Sequence, residues 1–133
     1  MKTSLNNTGQ ALITLIVFMF IGVTITSAAI VMIMVNANSG TNQQQGELAY
    51  QVAQSGAENA VLRVLRTPPP QYAGETLVIG SGSAVITVSG SGTSASPYVI
   101  LSKGQIGNFV RQVEVRAEYQ NNLFEITSER EIF

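Results

Sequence analysis

The chain has 133 residues, of which 45% are hydrophobic and only 11% charged, and its formal net charge is −1. That length suits one domain, and the near-neutral charge offers no electrostatic footprint for nucleic acid, so no nucleic-acid partner is predicted. The chain contains no Cys and no His, which excludes disulfides, thiol catalysis and the usual catalytic triads. All eight acidic residues are Glu, and the absence of Asp disfavours calcium, so we expect no metal and no cofactor.

A polar leader, residues 1–9, precedes a long apolar segment. Residues 11–35 carry no charge, and the next charged residue after Lys2 is Glu47. As an α-helix, these 25 residues would be roughly 37 Å long, which is enough to cross the hydrocarbon core of a bilayer. The sequence therefore predicts a transmembrane helix over residues 10–35.

A cleaved signal peptide is the competing interpretation of this segment. Its small-residue cleavage site would be Thr26-Ser27-Ala28-Ala29. The apolar part of a signal peptide usually spans about 7–15 residues, whereas this one continues to Val35, which favours an uncleaved anchor. Lys2 and the amino terminus favour a single-pass protein of the cytoplasmic (inner) membrane with its N-terminus inside and its head extracytoplasmic.

Small residues interrupt the apolar segment at Gly22, Ala28 and Ala29. One interpretation is that a membrane helix simply tolerates them. The other is that they allow close packing against a neighbouring helix, because small side chains let two backbones approach. We assign them to helix packing.

Residues 36–67 are predicted to be polar at first and then an amphipathic helix. The polar stretch Asn36–Gly46 contains two glycines and is either a linker or the exit of the helix into water. Beyond it, apolar residues recur at helical spacing until Pro68-Pro69-Pro70 ends the helix. The residues predicted to pack this helix on a sheet are Leu48, Val52, Val61 and Leu65.

A β head is predicted over residues 75–133, because the hydrophobic period changes there from helical spacing to alternation. Five sequential strands with short turns indicate an antiparallel meander, and its apolar face needs the helix as a cover. The fold class is therefore α+β. Asn121-Asn122 suits a hairpin turn with positive φ, and Ser89–Ser96 is predicted to be a flexible loop.

The last strand is predicted to alternate without interruption. That pattern places Phe124, Ile126 and Ile132 on one face, and it places on the other face Glu125, Thr127, Glu129 and Glu131.

Glutamates on the fourth strand raise the question of acid–base chemistry. Arg116 lies between Glu114 and Glu118 on the same strand face, which favours a solvated ladder of charges over a catalytic acid pair. We therefore predict that the protein is not an enzyme. A buried cluster of Glu114, Glu118 and Glu125 in a pocket would instead favour an enzyme.

Three stretches, taken in chain order, carry a family resemblance. Residues 8–13 (TGQALI) place a Gly directly before the apolar helix. Residues 45–58 (QGELAYQVAQSGAE) contain an aromatic, Ala, Ser/Ala-Gly run, and residues 101–115 (LSKGQIGNFVRQVEV) contain an S-x-G…R-x-V-x-V pattern. Together they resemble the leader junction, the helix-to-head junction and the head hairpin of the type IV pilin and pseudopilin superfamily, most closely PilX-type minor pilins and the K-type pseudopilins of type II secretion.

The resemblance implies a processed, assembling subunit. A prepilin peptidase would cleave after Gly9, and the new amino terminus at Gln10 would be methylated. The expected partners are the inner membrane, the peptidase and other pilin subunits, with the apolar helix exchanging lipid for protein neighbours. The alternative is a single-pass anchored binding module that never polymerises.

Two features depart from the family pattern. Most pilins carry Glu at the fifth position of the mature chain, where this sequence has Thr14, which removes an assembly contact and suits a tip or initiation subunit. The leader's only Lys, Lys2, lies well upstream of Gly9.

Overall fold

The computed structural model describes residues 7–69, 71–121 and 123–132; the predicted leader therefore lies largely outside the described residues. Over those ranges one long helix precedes five strands, which confirms the α+β architecture. The elements are α1 (Asn7–Arg66), β1 (Gly74–Ile79), β2 (Gly82–Ser89), β3 (Tyr98–Ile106), β4 (Phe109–Gln120) and β5 (Leu123–Ile132).

Helix α1 includes the whole polar stretch Asn36–Gly46, so that stretch is helical and not a linker. The helix ends just before the prolines, because proline lacks the N–H that a further turn requires. The Thr67 N–H donates to the Arg63 carbonyl at 2.7 Å and closes the last turn. Contacts within the chain define two compact units, with the boundary between Thr41 and Asn42.

The sheet is an antiparallel meander in the order β1-β2-β3-β4-β5, as predicted. Three of its hairpins turn through two residues, and each has a residue with positive φ. Gly80 has φ 60°, Gly107 has φ 55° and Asn121 has φ 52°. Two-residue hairpins favour this left-handed conformation, which Gly and Asn adopt most readily. The predicted role of Asn121 is confirmed, and Asn122 lies outside the described residues.

The β2–β3 connection, predicted to be flexible, is a hydrogen-bonded loop. Thr93 and Ser96 exchange backbone hydrogen bonds at 3.2 and 2.9 Å, and the Tyr119 N–H donates to the Gly92 carbonyl at 2.8 Å. Gly92 lies so close over the ring of Tyr98 that any Cβ would overlap it. The glycines here allow the chain to reverse direction, and Gly92 also allows the backbone to pass close to an aromatic ring.

A β-bulge divides strand β5. Arg116 pairs with Ser128 and Ala117 pairs with Ile126, so Thr127 is the extra residue. A bulge shifts the alternation by one residue, and the predicted faces are therefore wrong beyond it. Glu129 and Glu131 share the face of the buried Val115 and Val113, and Ile132 lies on the opposite face.

The core lies between the C-terminal half of α1 and one face of the sheet. Because the helix supplies mostly small side chains there, its backbone lies close to the strands. The buried helix residues are Gly46, Ala49, Val52, Ala53, Gly56, Ala57, Ala60 and Val64. The sheet residues buried against them include Ala84, Ile86, Val88, Ile100, Ser102, Val113, Val115 and Ala117.

Candidate functional site

The apolar segment of α1 exposes its bulky side chains around the whole helix. Phe20 is 74% exposed, and Leu12, Val23 and Met34 are all more than half exposed. In the part of the chain that the structure describes, α1 is the one helix long and apolar enough to span a membrane. An apolar surface of this size marks a membrane or protein interaction site.

The three threonine side chains in this segment form hydrogen bonds to their own helix. The hydroxyls of Thr14, Thr24 and Thr26 donate to carbonyl oxygens three or four residues earlier, at 2.8, 2.8 and 2.6 Å. An unsatisfied hydroxyl in hydrocarbon is costly, so these internal bonds suit the segment to an apolar surrounding.

The residues predicted for processing lie at the start of α1. Gly9 and Gln10 are helical and exposed, and beyond the adjacent helix backbone no described atom lies within 4 Å of the position that a Cβ on Gly9 would occupy. First turns of helices fray readily, because their N–H groups lack partners within the helix. The Thr14 hydroxyl donates a hydrogen bond to the Gln10 carbonyl oxygen, and the side chain carries no charge.

The three small residues predicted for helix packing do not share one face. Gly22 and Ala29 are seven residues apart and lie on the same side of the helix, whereas Ala28 is rotated away from it. The Thr26 hydroxyl donates a hydrogen bond to the Gly22 carbonyl oxygen at 2.6 Å. All three small residues are exposed, and among the described residues a Cβ on Gly22 would meet open space.

The residues predicted for helix-to-sheet packing divide into two pairs. Val52 is buried and Val61 packs against the core. Leu48 and Leu65 are 40% and 42% exposed and lie outside the core cluster. The sheet is instead contacted by the smaller residues of the helix.

Two glycines, Gly56 in the apolar stripe of the helix and Gly104 on β3, set the distance between helix and sheet. A Cβ on Gly56 would lie 2.5 Å from Ser102 Oγ and 2.7 Å from the Cβ of Ala84. A Cβ on Gly104 would overlap the backbone of Ala49 and Ala53 on α1. The S-x-G and S-G motifs behind the family resemblance thus face each other, which is a signal the sequence carried.

Ser102 sits at this contact as a buried polar group. Its hydroxyl has no hydrogen-bond partner among the described residues. Such a group costs free energy when left unpaired. Gly56 approaches position 102 so closely that a small side chain such as Ser is required there.

Glu114 is the centre of the predicted charge ladder, although it is less solvated than predicted. It accepts from Arg116 Nε at 2.8 Å and from Arg130 Nη2 at 2.9 Å, and its side chain is only 11% exposed. The hydrogen bond from Arg116, together with both positive charges, lowers the pKa of Glu114 below its usual value, despite a burial effect in the opposite direction.

The other two glutamates considered for catalysis do not join Glu114. Glu118 and Glu125 lie directly opposite each other across β4 and β5, and Glu125 is exposed. Two like charges in that arrangement repel each other. Within the described ranges, no three His, Cys, Asp or Glu side chains come together to hold a metal.

A second charged cluster ties the end of α1 to β1. Arg63 Nε lies 2.8 Å from Glu75 Oε1, and the Tyr72 hydroxyl donates to the same oxygen at 3.0 Å. The Arg63 guanidinium also stacks 5.9 Å from the centre of the Tyr72 ring. Burial, and then the bond to Glu75, raises the pKa of Tyr72 to about 12. This cluster stabilises the turn that follows the prolines.

The fold and the exposed helix define the class: an α+β protein with one candidate membrane-spanning helix, compatible with a pilin-like fold. Comparison with known proteins finds no matching family model, no matching curated protein and no matching solved structure.

Proposed function

We propose that this chain is a structural subunit of a bacterial type IV pilus or type II secretion filament. The observation that carries the proposal is the uncovered apolar surface of residues 11–35. Each bulky side chain there gains about 1.5–3 kcal/mol on leaving water, so the segment needs lipid or protein around it. A helix whose threonine hydroxyls bond to its own carbonyl oxygens can exchange one surrounding for the other at small cost.

Processing after Gly9 is the finer part of the proposal. Cleavage by a prepilin peptidase would remove the leader and leave Gln10 as the amino terminus, while residues 10–35 stay in the inner membrane. The site lies in the first turn of α1, where Gly9 has open space around it. Both features suit access by a protease.

A minor role fits better than that of the repeating subunit. Thr14 is neutral and its hydroxyl is engaged with the Gln10 carbonyl at 2.8 Å. It therefore offers no carboxylate to a neighbour's terminal ammonium. We assign the chain to the tip or initiation complex of the filament.

One observation favours the alternative, an anchored binding module that does not polymerise. Bulky side chains cover every side of the apolar helix, and Gly22 and Ala29 make only a short strip of small residues. A plain lipid anchor needs nothing more than such a surface.

The mature amino terminus distinguishes these functions. The full chain is expressed in a bacterium with an active prepilin peptidase, and mass spectrometry of the purified protein is expected to show methylated Gln10 as the first residue. Gly9→Val should abolish cleavage, and the matched variant Gly40→Val should leave it intact. A chain that still begins at Met1 would contradict the proposal, as would one that begins after Ala29.

Assembly is tested separately on the same strain. Surface filaments are sheared from the cells and probed for the subunit, which is expected in the wild type and lost with Gly9→Val. A processed chain that remains entirely in the membrane fraction would favour the anchored module.

A further inference from the structure

An apolar groove lies beside α1, on the same face of the sheet that the helix covers. Its volume is about 270 Å³. Ala57, Val61 and Val115 form its floor, and Leu62 and Ile126 flank it at 56% and 49% exposed. The helix does not reach this far across the sheet, so the apolar floor between α1 and β5 is open.

Two carboxylates border the groove, and neither has a partner within the described residues. Glu58 comes from α1 and Glu129 from β5. Glu129 reaches this face only because the bulge at Thr127 shifts the alternation of β5. Bulges often re-aim a side chain at a functional surface. Two unpaired acids beside an apolar floor call for a partner that is apolar and positively charged.

The opposite face of the sheet offers such a surface. Val85 on β2 pairs directly with Lys103 on β3, and Val78 on β1 lies on the same face, diagonal to Val85. Both valines are exposed, Val85 by 46%, and Lys103 makes no hydrogen bond or ion pair with any described residue. We call Val78, Val85 and Lys103 the outer patch.

We propose that the groove of one copy binds the outer patch of a second copy, with Lys103 between Glu58 and Glu129 and with Val85 on the apolar floor. This inference rests on the proposed function, and it requires that the tip or initiation complex hold several neighbouring copies of this chain. Burial of the valines supplies affinity, and the opposite charges select the orientation.

The positions of the two surfaces favour a second copy as the occupant. The groove and the outer patch lie on opposite faces of one sheet, so a copy that fills its neighbour's groove still presents its own groove to the next. Such a contact is heterologous and produces an open array or a ring instead of a closed pair. Each subunit carries one surface of each kind, and their charges are complementary.

Cysteine cross-linking tests the contact in the full-length protein. The chain has no native Cys, so introduced thiols are unique. Val85→Cys combined with Ile126→Cys, treated in intact cells with a short bismaleimide, should give a ladder of dimers, trimers and larger species. The control pair of Ser94→Cys with Ile126→Cys places one thiol in an exposed loop outside the outer patch and should give only monomer. Cross-linking by Ile126→Cys alone would show groove meeting groove and would overturn the proposal.

A charge swap provides a second readout on the same cross-linking background. Lys103→Glu should reduce the ladder by roughly twofold to fivefold, and Glu129→Lys added to it should restore most of the yield. Arg66→Glu, which reverses an exposed cation outside the outer patch, should leave the yield unchanged. Equal loss with Lys103→Glu and Arg66→Glu would overturn the specific contact.

Failure of the contact and failure of the proposed function give different results. Sheared filaments that contain the subunit but show no ladder overturn this contact and leave the filament role standing. A ladder confined to the membrane of cells without filaments supports the contact and contradicts the filament role.

Discussion

The two halves of α1 share one secondary structure and differ in what their side chains touch. Residues 11–35 present large apolar side chains, and every one of them is exposed. Residues 46–64 bury Ala, Gly and Val against a sheet. Helical backbone bonds are internal to both halves, so the side chains alone decide the surroundings each half requires. Large apolar side chains suit lipid or exchangeable protein neighbours, whereas small side chains suit close packing against one fixed partner.

A charge in the apolar half should produce the largest effect. Val23→Lys places an ammonium in the middle of the segment at a cost of about 3 kcal/mol for membrane insertion. We expect the carbonate-resistant membrane fraction to fall below that of the wild type, although the other apolar side chains still favour insertion. Val23→Ala is the matched control and should match the wild type. Equal retention of Val23→Lys and Val23→Ala would remove the distinction between the halves.

A methyl group at the close contact should produce the next largest effect. Gly104→Ala forces a Cβ into the backbone of α1, and we expect a loss of about 2–3 kcal/mol in the free energy of unfolding of the head. Urea unfolding of the full chain in detergent measures it. Gly40→Ala has open space and should be neutral or slightly stabilising. Equal stability of the two variants would contradict the fixed helix–sheet distance.

Neighbouring residues of the packed half should differ in the same assay. Val64→Ala removes two methyl groups from a fully buried side chain, and we expect a loss of about 2 kcal/mol. Leu65→Ala removes more carbon from a side chain that is 42% exposed, yet its effect should be smaller. The reverse order would mean that the larger residues, and not the small ones, hold the helix on the sheet.

The smallest effect is expected on the far face of the sheet. Glu114→Gln removes the carboxylate shared by Arg116 and Arg130, and we expect a loss of about 1 kcal/mol, because both arginines are largely exposed.

The same carboxylate makes the stability of the head depend on pH. Because its pKa is lowered in the fold, its stabilisation is complete above its ordinary value of 4.5 and is lost as the pH falls further. Between pH 6 and about pH 3 the wild type should therefore lose more stability than Glu114→Gln does. Identical pH profiles would show that Glu114 contributes nothing through its charge.

Prediction from sequence succeeded where the signal is local and periodic. The apolar run, the strand order and the turn at Asn121 all follow from composition, alternation and backbone preference within a few residues. The pattern was insufficient at β5, where one extra residue, Thr127, reverses the faces of Glu129 and Ile132. A bulge leaves no clear mark on alternation, because either register is compatible with the composition of the strand.

Packing between distant segments was the other difficulty. Hydrophobicity favoured Leu48 and Leu65 as helix-to-sheet contacts, whereas the structure buries the smaller residues between them. The distance between two elements depends on both partners: Gly56 on the helix faces Ser102 and Ala84, and Gly104 on the sheet faces Ala49 and Ala53.

From the sequence alone came the exposed apolar half of α1, the antiparallel meander and the α+β class, because periodicity and hydrophobicity act within single elements. Only the tertiary structure decided which residues of the amphipathic stripe are fully buried against the sheet, which face Glu129 occupies and where an open groove remains. Those outcomes depend on register and close approach between residues far apart in the chain, and no local pattern encodes them.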